Sequence, residues 1–324
     1  MARIARISRT GGPDVIEWHD ADIAPPGLGE VSLRTTAVGL NFIDTYYRNG
    51  IYPVDLPSGL GSEGAGVVTA IGPDVSGFAI GNRVATFGPP QGSYATERTL
   101  PASSLFKLPD DISDEVAAAV LLKGCTAEYL ANRAAGVAER DWVLVHAAAG
   151  GVGLLLVQWL TAKGAKVIGT VSTEAKAEFA RIAGAKEIIR YDHEPVAERV
   201  RALTGGLGVR TTFDGVGRDT WEASLDSTGR RGLIVSYGNS SAPVTGVALG
   251  ILAAKGSLFV TRPTLFHYYA DPAERAAGAE ALWAMIRAGK LEVTVGQRYM
   301  LEEAARAHAD LENRKTSGST LLIP

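Results

Sequence analysis

The feature that most constrains this chain is an alternation that begins near Asp141. Six short apolar runs, at 142–146, 166–171, 187–190, 210–213, 232–237 and 257–261, read as strands. Helical segments at 151–163 and 174–183 separate the first three. Strands that alternate with helices of this length lie parallel, because each crossover returns the chain to the same end of the sheet. Helices then cover both faces, so the strands are apolar throughout rather than alternating. Six strands are what a full doubly wound dinucleotide fold uses.

The first run leads straight into His146-Ala147-Ala148-Ala149-Gly150-Gly151-Val152-Gly153. From Ala148 to Gly153 it reads A-x-G-x-x-G, with alanine where the first glycine usually stands. Small residues allow the tight strand-to-helix turn, and Gly150 lets backbone N–H groups approach a pyrophosphate. Gly153 lets helix and sheet pack closely. The helix N-terminus adds partial positive charge for the anion. A G-x-x-G string alone marks only a tight turn. Here it follows a strand, opens a helix and precedes a second strand, so a dinucleotide site is expected.

The end of the second strand distinguishes the two common dinucleotides. NAD sites usually place an acid there, about 20 residues on, to accept the ribose hydroxyls. Thr170-Val171-Ser172-Thr173 carries none, Glu174 lies just beyond, and Lys176 follows. Small hydroxyls and a lysine suit a 2′-phosphate, which a carboxylate would repel. Lys176 alone would read as an ordinary exposed helix lysine. Its position favours NADPH over NADH.

The first hundred residues differ in character. The runs at 3–8 and 30–38 alternate like half-buried strands, with further β-rich runs at 64–71 and 82–86. Gly/Pro turns separate them. Helical spacing appears at 113–122 and 124–136, again at 273–289, and 319–323 reads as a closing strand. With 32 basic against 35 acidic side chains the net charge is −3, so no general attraction to nucleic acid is expected. No apolar stretch reaches the ~20 residues of a membrane span, and Arg3, Arg6 and Arg9 precede no apolar signal core. A cytoplasmic protein is expected. The single cysteine, Cys125, excludes an intrachain disulfide, a cysteine-rich zinc lobe and an Fe–S cluster. It reads as a small buried filler.

Several segments together are more specific than any one. They are 41–47 (NFIDTYY), 57–66 (PSGLGSEGAG), 147–153 (AAAGGVG), 214–217 (DGVG) and 236–241 (SYGNSS). They resemble the NADPH:quinone oxidoreductase family, the zeta-crystallin-like branch of the medium-chain dehydrogenase/reductases. The resemblance implies an α/β protein with a GroES-like β-rich catalytic domain over 1–122, completed by 264–324. A Rossmann domain with a doubly wound parallel sheet would occupy 123–263 and bind NADPH. Zinc alcohol dehydrogenases of that superfamily carry a G-H-E triplet whose histidine holds the catalytic metal. Gly61-Ser62-Glu63 lacks that ligand, and the five histidines and Cys125 show no ligand spacing. No metal is expected.

The implied activity is metal-free hydride transfer from NADPH to a quinone. Without a Lewis acid to ionise an alcohol, an electron-poor conjugated carbonyl is the easier substrate. The resemblance places the nicotinamide against Asn41, Asp44 and Tyr46. Tyr52 and Tyr129 would supply further phenols and flat faces, and Lys123 positive charge. Asn41, Tyr46, Tyr52 and Lys123 are the candidate catalytic residues. Gly150, Gly151 and Val152 would hold the pyrophosphate, and Ser172, Thr173, Lys176 and Tyr191 the adenosine phosphate end. Val216, Tyr237, Asn239 and Arg314 complete the family's cofactor contacts. A homodimer is implied through the 257–261 edge. The alternatives are an enone or enoyl-thioester C=C reductase, and an RNA-binding or structural crystallin-like role. The last lacks a basic stripe with stacking aromatics.

Overall fold

A computed structural model describes Met1–Pro324 and divides the chain into two compact units. The first comprises Met1–Leu122 with Val293–Pro324, and the second Lys123–Glu292.

In the second unit, six parallel strands form one sheet. Their order is Glu187–Arg190, Lys166–Val171, Trp142–Val145, Val209–Asp214, Thr228–Ser236 and Phe259–Thr261. This is the 3-2-1-4-5-6 order of a dinucleotide fold, and it reverses direction at the central Trp142–Val145 strand. Leu144, Ile168, Ile189, Val200 and Val209 build a fully buried core on one face.

The first unit is β-rich. Glu30–Leu40 pairs antiparallel with Glu63–Ile71, which pairs with Arg83–Phe87. The chain's last strand, Ser319–Ile323, adds to the other side of Glu30–Leu40 through Thr320, Leu321 and Leu322. A short helix, Phe42–Asn49, leaves the end of that central strand. Buried Ile7, Val38, Leu40, Leu60, Leu301 and Leu322 form the core that joins the C-terminal segment to the N-terminal one.

Two expectations shift. The second unit extends to Glu292, beyond the expected return at 264. Polar contacts hold the intervening stretch there: Tyr269 donates to Glu128, Arg133 to the Tyr268 carbonyl, and Gln158 pairs with both backbone groups of Glu292. The helices expected at 113–122 and 124–136 are one, Asp114–Tyr129, ending in a π-helical turn over Leu130–Ala134. Gly124 lies in a stretch of wholly buried residues, where packing outweighs the ~1 kcal/mol cost of an interior helix glycine.

Leu322 is fully buried between the two parts of the first unit's sequence. Leu322→Ala should cost about 2–5 kcal/mol of stability. Urea denaturation would show a lower midpoint at an unchanged slope.

Candidate functional site

In the second unit the strand-to-helix turn has the geometry its residues suggest. Ala147 adopts a left-handed φ of 51°, and Gly150 caps the Gly151–Ala162 helix. The Gly150 N–H closes the turn onto the Ala147 carbonyl at 2.9 Å. A side chain at Gly153 would collide with that same carbonyl oxygen, so helix and strand approach only because position 153 has none. The alanine that replaces the usual first glycine is compensated elsewhere. Ala148 packs against Gly169 on the neighbouring strand, where an added Cβ would stand 2.8 Å from the alanine methyl. The N–H groups of Gly151 and Val152 occupy the first helical turn, where an α-helix offers no internal partner. A helix start of this kind can cradle an anion.

The rim of the second strand is equally specific. Thr173 caps the Glu174–Ile182 helix and accepts from the Lys176 N–H at 3.2 Å. Glu174 is drawn away by Arg181 at 2.8 Å and Arg190 at 3.6 Å, and its bond to Arg181 holds its carboxyl below the usual range. The nearest acid is thereby neutralised. Tyr191 follows the third strand, its N–H bonded to the Val171 carbonyl.

Beyond the fourth strand, Asp214 organises the next turn. Its Oδ1 accepts from the N–H groups of Val216 and Gly217 at 2.9 and 3.0 Å, and its Oδ2 from Ser224 at 2.7 Å. Ser224 also meets His146, a buried imidazole whose pKa burial lowers. His146 is therefore a satisfied interior residue, with Thr170 at its other nitrogen. Tyr237 packs so closely on Gly215 that a Cβ there would lie 2.8 Å from its ring. Asn239, with its amide oriented by its neighbours, donates to Gly238 and accepts from Arg262. Lys123 and Tyr129 are buried, and Tyr129 stacks on Tyr268 with ring centroids 4.5 Å apart.

In the first unit, Asn41, Asp44, Tyr46 and Tyr52 come together around the Phe42–Asn49 helix. The Tyr46 and Tyr52 rings meet edge to face at 5.3 Å, and Tyr47 meets Tyr52 at 5.7 Å. Two of these side chains are engaged within the unit. Asn41 spends both amide protons, on Glu63 Oε2 at 2.8 Å and the Gly39 carbonyl at 3.1 Å, so any further bond from this side chain is accepted at Oδ1. Asp44 is wholly buried and accepts from the Asn41 N–H, Ser62 Oγ and Tyr94 Oη. Arg314 lies in the first unit, exposed, in a left-handed turn after the Ala304–Glu312 helix.

The residues that sequence reasoning missed are Ser62, Tyr94 and His308. They lie far apart along the chain, and only Ser62 carried a signal, as the residue in place of a metal-binding histidine.

A family profile described as zinc-binding dehydrogenase matches residues 151–270, and one described as alcohol dehydrogenase GroES-like domain matches residues 27–110. The chain is 51% identical to a quinone oxidoreductase of Pseudomonas aeruginosa, over 100% of both proteins. It is 44% identical to a 2-haloacrylate reductase of Burkholderia, over 100% of this chain and 99% of that protein. Among solved structures, the Escherichia coli quinone oxidoreductase complexed with NADPH is similar with a TM-score of 0.97 and 46% identity. That match covers 99% of this chain and 100% of the other.

Lys176→Ala should weaken binding of a nucleotide bearing a 2′-phosphate roughly tenfold and leave one without it unchanged. Calorimetric titration with NADPH and NADH in parallel checks this. Equal losses would remove Lys176 from the phosphate site.

Proposed function

This chain belongs to the quinone oxidoreductase family of the medium-chain dehydrogenase/reductases, and we infer that it reduces a quinone with NADPH. The observation that carries the cofactor is the rim of the second strand, where hydroxyls and Lys176 stand and the nearest acid is paired with arginines. When bound, NADPH supplies the hydride. The Gly151 and Val152 N–H groups then hold the pyrophosphate, and Ser172, Thr173, Lys176 and Tyr191 the 2′-phosphate end. Val216, Tyr237, Asn239 and the exposed Arg314 are assigned as further cofactor contacts.

Asn41, Tyr46 and Tyr52 are assigned to the nicotinamide and substrate end, with Lys123 and Tyr129. Asn41 acts there as an acceptor, because its amide protons are spent. It orients a carboxamide or ribose hydroxyl and does not protonate the substrate. The tyrosine rings offer flat faces for a planar acceptor. Hydride addition to a quinone also consumes a proton, which a phenol or water supplies.

One of the two matched family descriptions names zinc, but the side chains present do not fit it. No group of three or more His, Cys, Asp or Glu residues is arranged to hold a metal. Ser62 stands where the metal-binding histidine would be, with its hydroxyl on Asp44, and Glu63 is engaged by Asn41 and the Leu122 N–H. The mechanism therefore runs through no metal. Reduction of a conjugated C=C is a second reading, favoured by the relative named 2-haloacrylate reductase. Steady-state assays with quinones, conjugated enones and alcohols should show turnover of quinones, and none of alcohols. Efficient alcohol oxidation with quinones untouched would overturn the reading.

No helix is long and apolar enough to cross a membrane. The lone cysteine forms no intrachain disulfide and suits a reducing compartment, and the cytoplasm is the assigned location. The assigned assembly is a homodimer. Phe259–Thr261 ends the six-stranded sheet, and Phe259 and Val260 are 61% and 39% exposed. An apolar edge strand of this kind is a template for a second copy. Native mass spectrometry at micromolar concentration should show the dimer, and Phe259→Lys, which puts a charge on the exposed edge, should shift it toward monomer. Monomer alone in the unaltered protein would sink the assignment.

A further inference from the structure

Asp44 lies in the first turn of the Phe42–Asn49 helix, without contact to solvent. Its carboxylate is reached from two sides. Ser62 Oγ donates to Oδ1 at 2.6 Å, while Tyr94 Oη donates to Oδ2 at 3.1 Å beside the Asn41 N–H at 2.9 Å.

Donor chemistry fixes the direction of every bond behind Tyr94. Arg48 can only donate, so His308 Nδ1, 3.0 Å from Arg48 Nη1, accepts. Burial, followed by the Arg48 charge, pushes the His308 imidazole down to about 3. At neutral pH the ring is uncharged and its proton sits on Nε2. That proton points at Tyr94 Oη, 2.9 Å away. Tyr94 then turns its own proton to Asp44, and burial together with the Asp44 charge keeps that phenol protonated. Arg48 is itself fixed by two bonds to Glu312, at 3.0 and 2.6 Å, and by the Gly11 carbonyl at 3.0 Å.

The result is one directed chain from Arg48 through His308 and Tyr94 to Asp44. It ends on the carboxylate that closes the turn at Asn41. Burying a carboxylate is expensive, and packed apolar residues usually stabilise a core as well or better. Stability alone does not explain this arrangement. Catalytic side chains, however, need placement to about half an ångström, which a fully satisfied polar network supplies.

We propose that Tyr94 and His308 are positioning residues, holding Asp44 and through it the turn that presents Asn41 and Tyr46 for hydride transfer. The proposal rests on the reading above that Asn41 and Tyr46 stand at the nicotinamide end. Ser62 serves the same carboxylate from the opposite side.

The test compares Tyr94→Phe, His308→Leu and His308→Gln, the last keeping a donor near the Nε2 position, with Asn41→Ala. Each is assayed with NADPH and with NADPH deuterated at the reactive nicotinamide carbon. Tyr94→Phe and His308→Leu should lower kcat roughly tenfold or more and raise the isotope effect on kcat. KM for NADPH should stay within about twofold. His308→Gln should recover most of kcat. If Tyr94→Phe fails to fold, Ser62→Ala reads the same carboxylate from its other side. The proposal is overturned if these variants lower only the melting temperature while Asn41→Ala slows hydride transfer. It is overturned equally if His308→Gln behaves as His308→Leu. An Asn41→Ala variant with unaltered rate and isotope effect would instead remove the underlying assignment of Asn41.

Discussion

The second unit depends on one close approach, that of the Gly151–Ala162 helix to the Ala147 carbonyl. Gly153 makes it possible, because any Cβ there would meet backbone that cannot move aside. With helix and strand this close, the helix N-terminus points its N–H groups beyond the carboxyl end of the central strand. That is also where the sheet order reverses. Doubly wound folds bind ligands at this crevice for the same reason. The neighbouring strands bring further groups to that edge: Ser172 and Thr173 follow one, and the Asp214 turn follows another.

The first unit solves a different problem. It holds polar side chains at fixed positions inside a β-rich scaffold, and no group of three or more His, Cys, Asp or Glu residues gathers there. The Gly61-Ser62-Glu63 triplet shows how. Ser62 donates to Asp44, and Glu63 accepts from Asn41 and from the Leu122 N–H. A segment that binds metal in zinc dehydrogenases is here an acceptor-and-donor frame for the Asn41 turn. Hydrogen bonds are weaker than metal–ligand bonds, so several must converge. They do so on Asp44 and Glu63, both fully buried.

Much of this was legible in the sequence because it is local. Strand and helix periodicity, the Ala148–Gly153 turn and the absence of an acid at 170–173 are properties of neighbouring residues. Each is set by backbone sterics or by charge within a few positions. The helix break expected before Gly124 was misplaced because local propensity was outweighed by burial on all sides of that segment. The extent of the second unit was likewise hidden. What keeps residues up to Glu292 there is a set of bonds to Glu128, Arg133 and Gln158, more than a hundred residues away in sequence.

By itself, then, the sequence determined the fold class and the strand-to-helix turn, and it left no acid at 170–173. It also carries serine at position 62, where the resemblance to the zinc dehydrogenases implies a histidine. Only the tertiary structure decided what replaced it. Asn41 became an acceptor because Glu63, 22 residues on, takes one of its protons. Asp44 became a buried anchor because Tyr94 and His308, 50 and 264 positions further along the chain, are brought onto one line with it. Hydrogen-bond direction is a property of which groups finally meet, and no local pattern encodes a meeting across that distance.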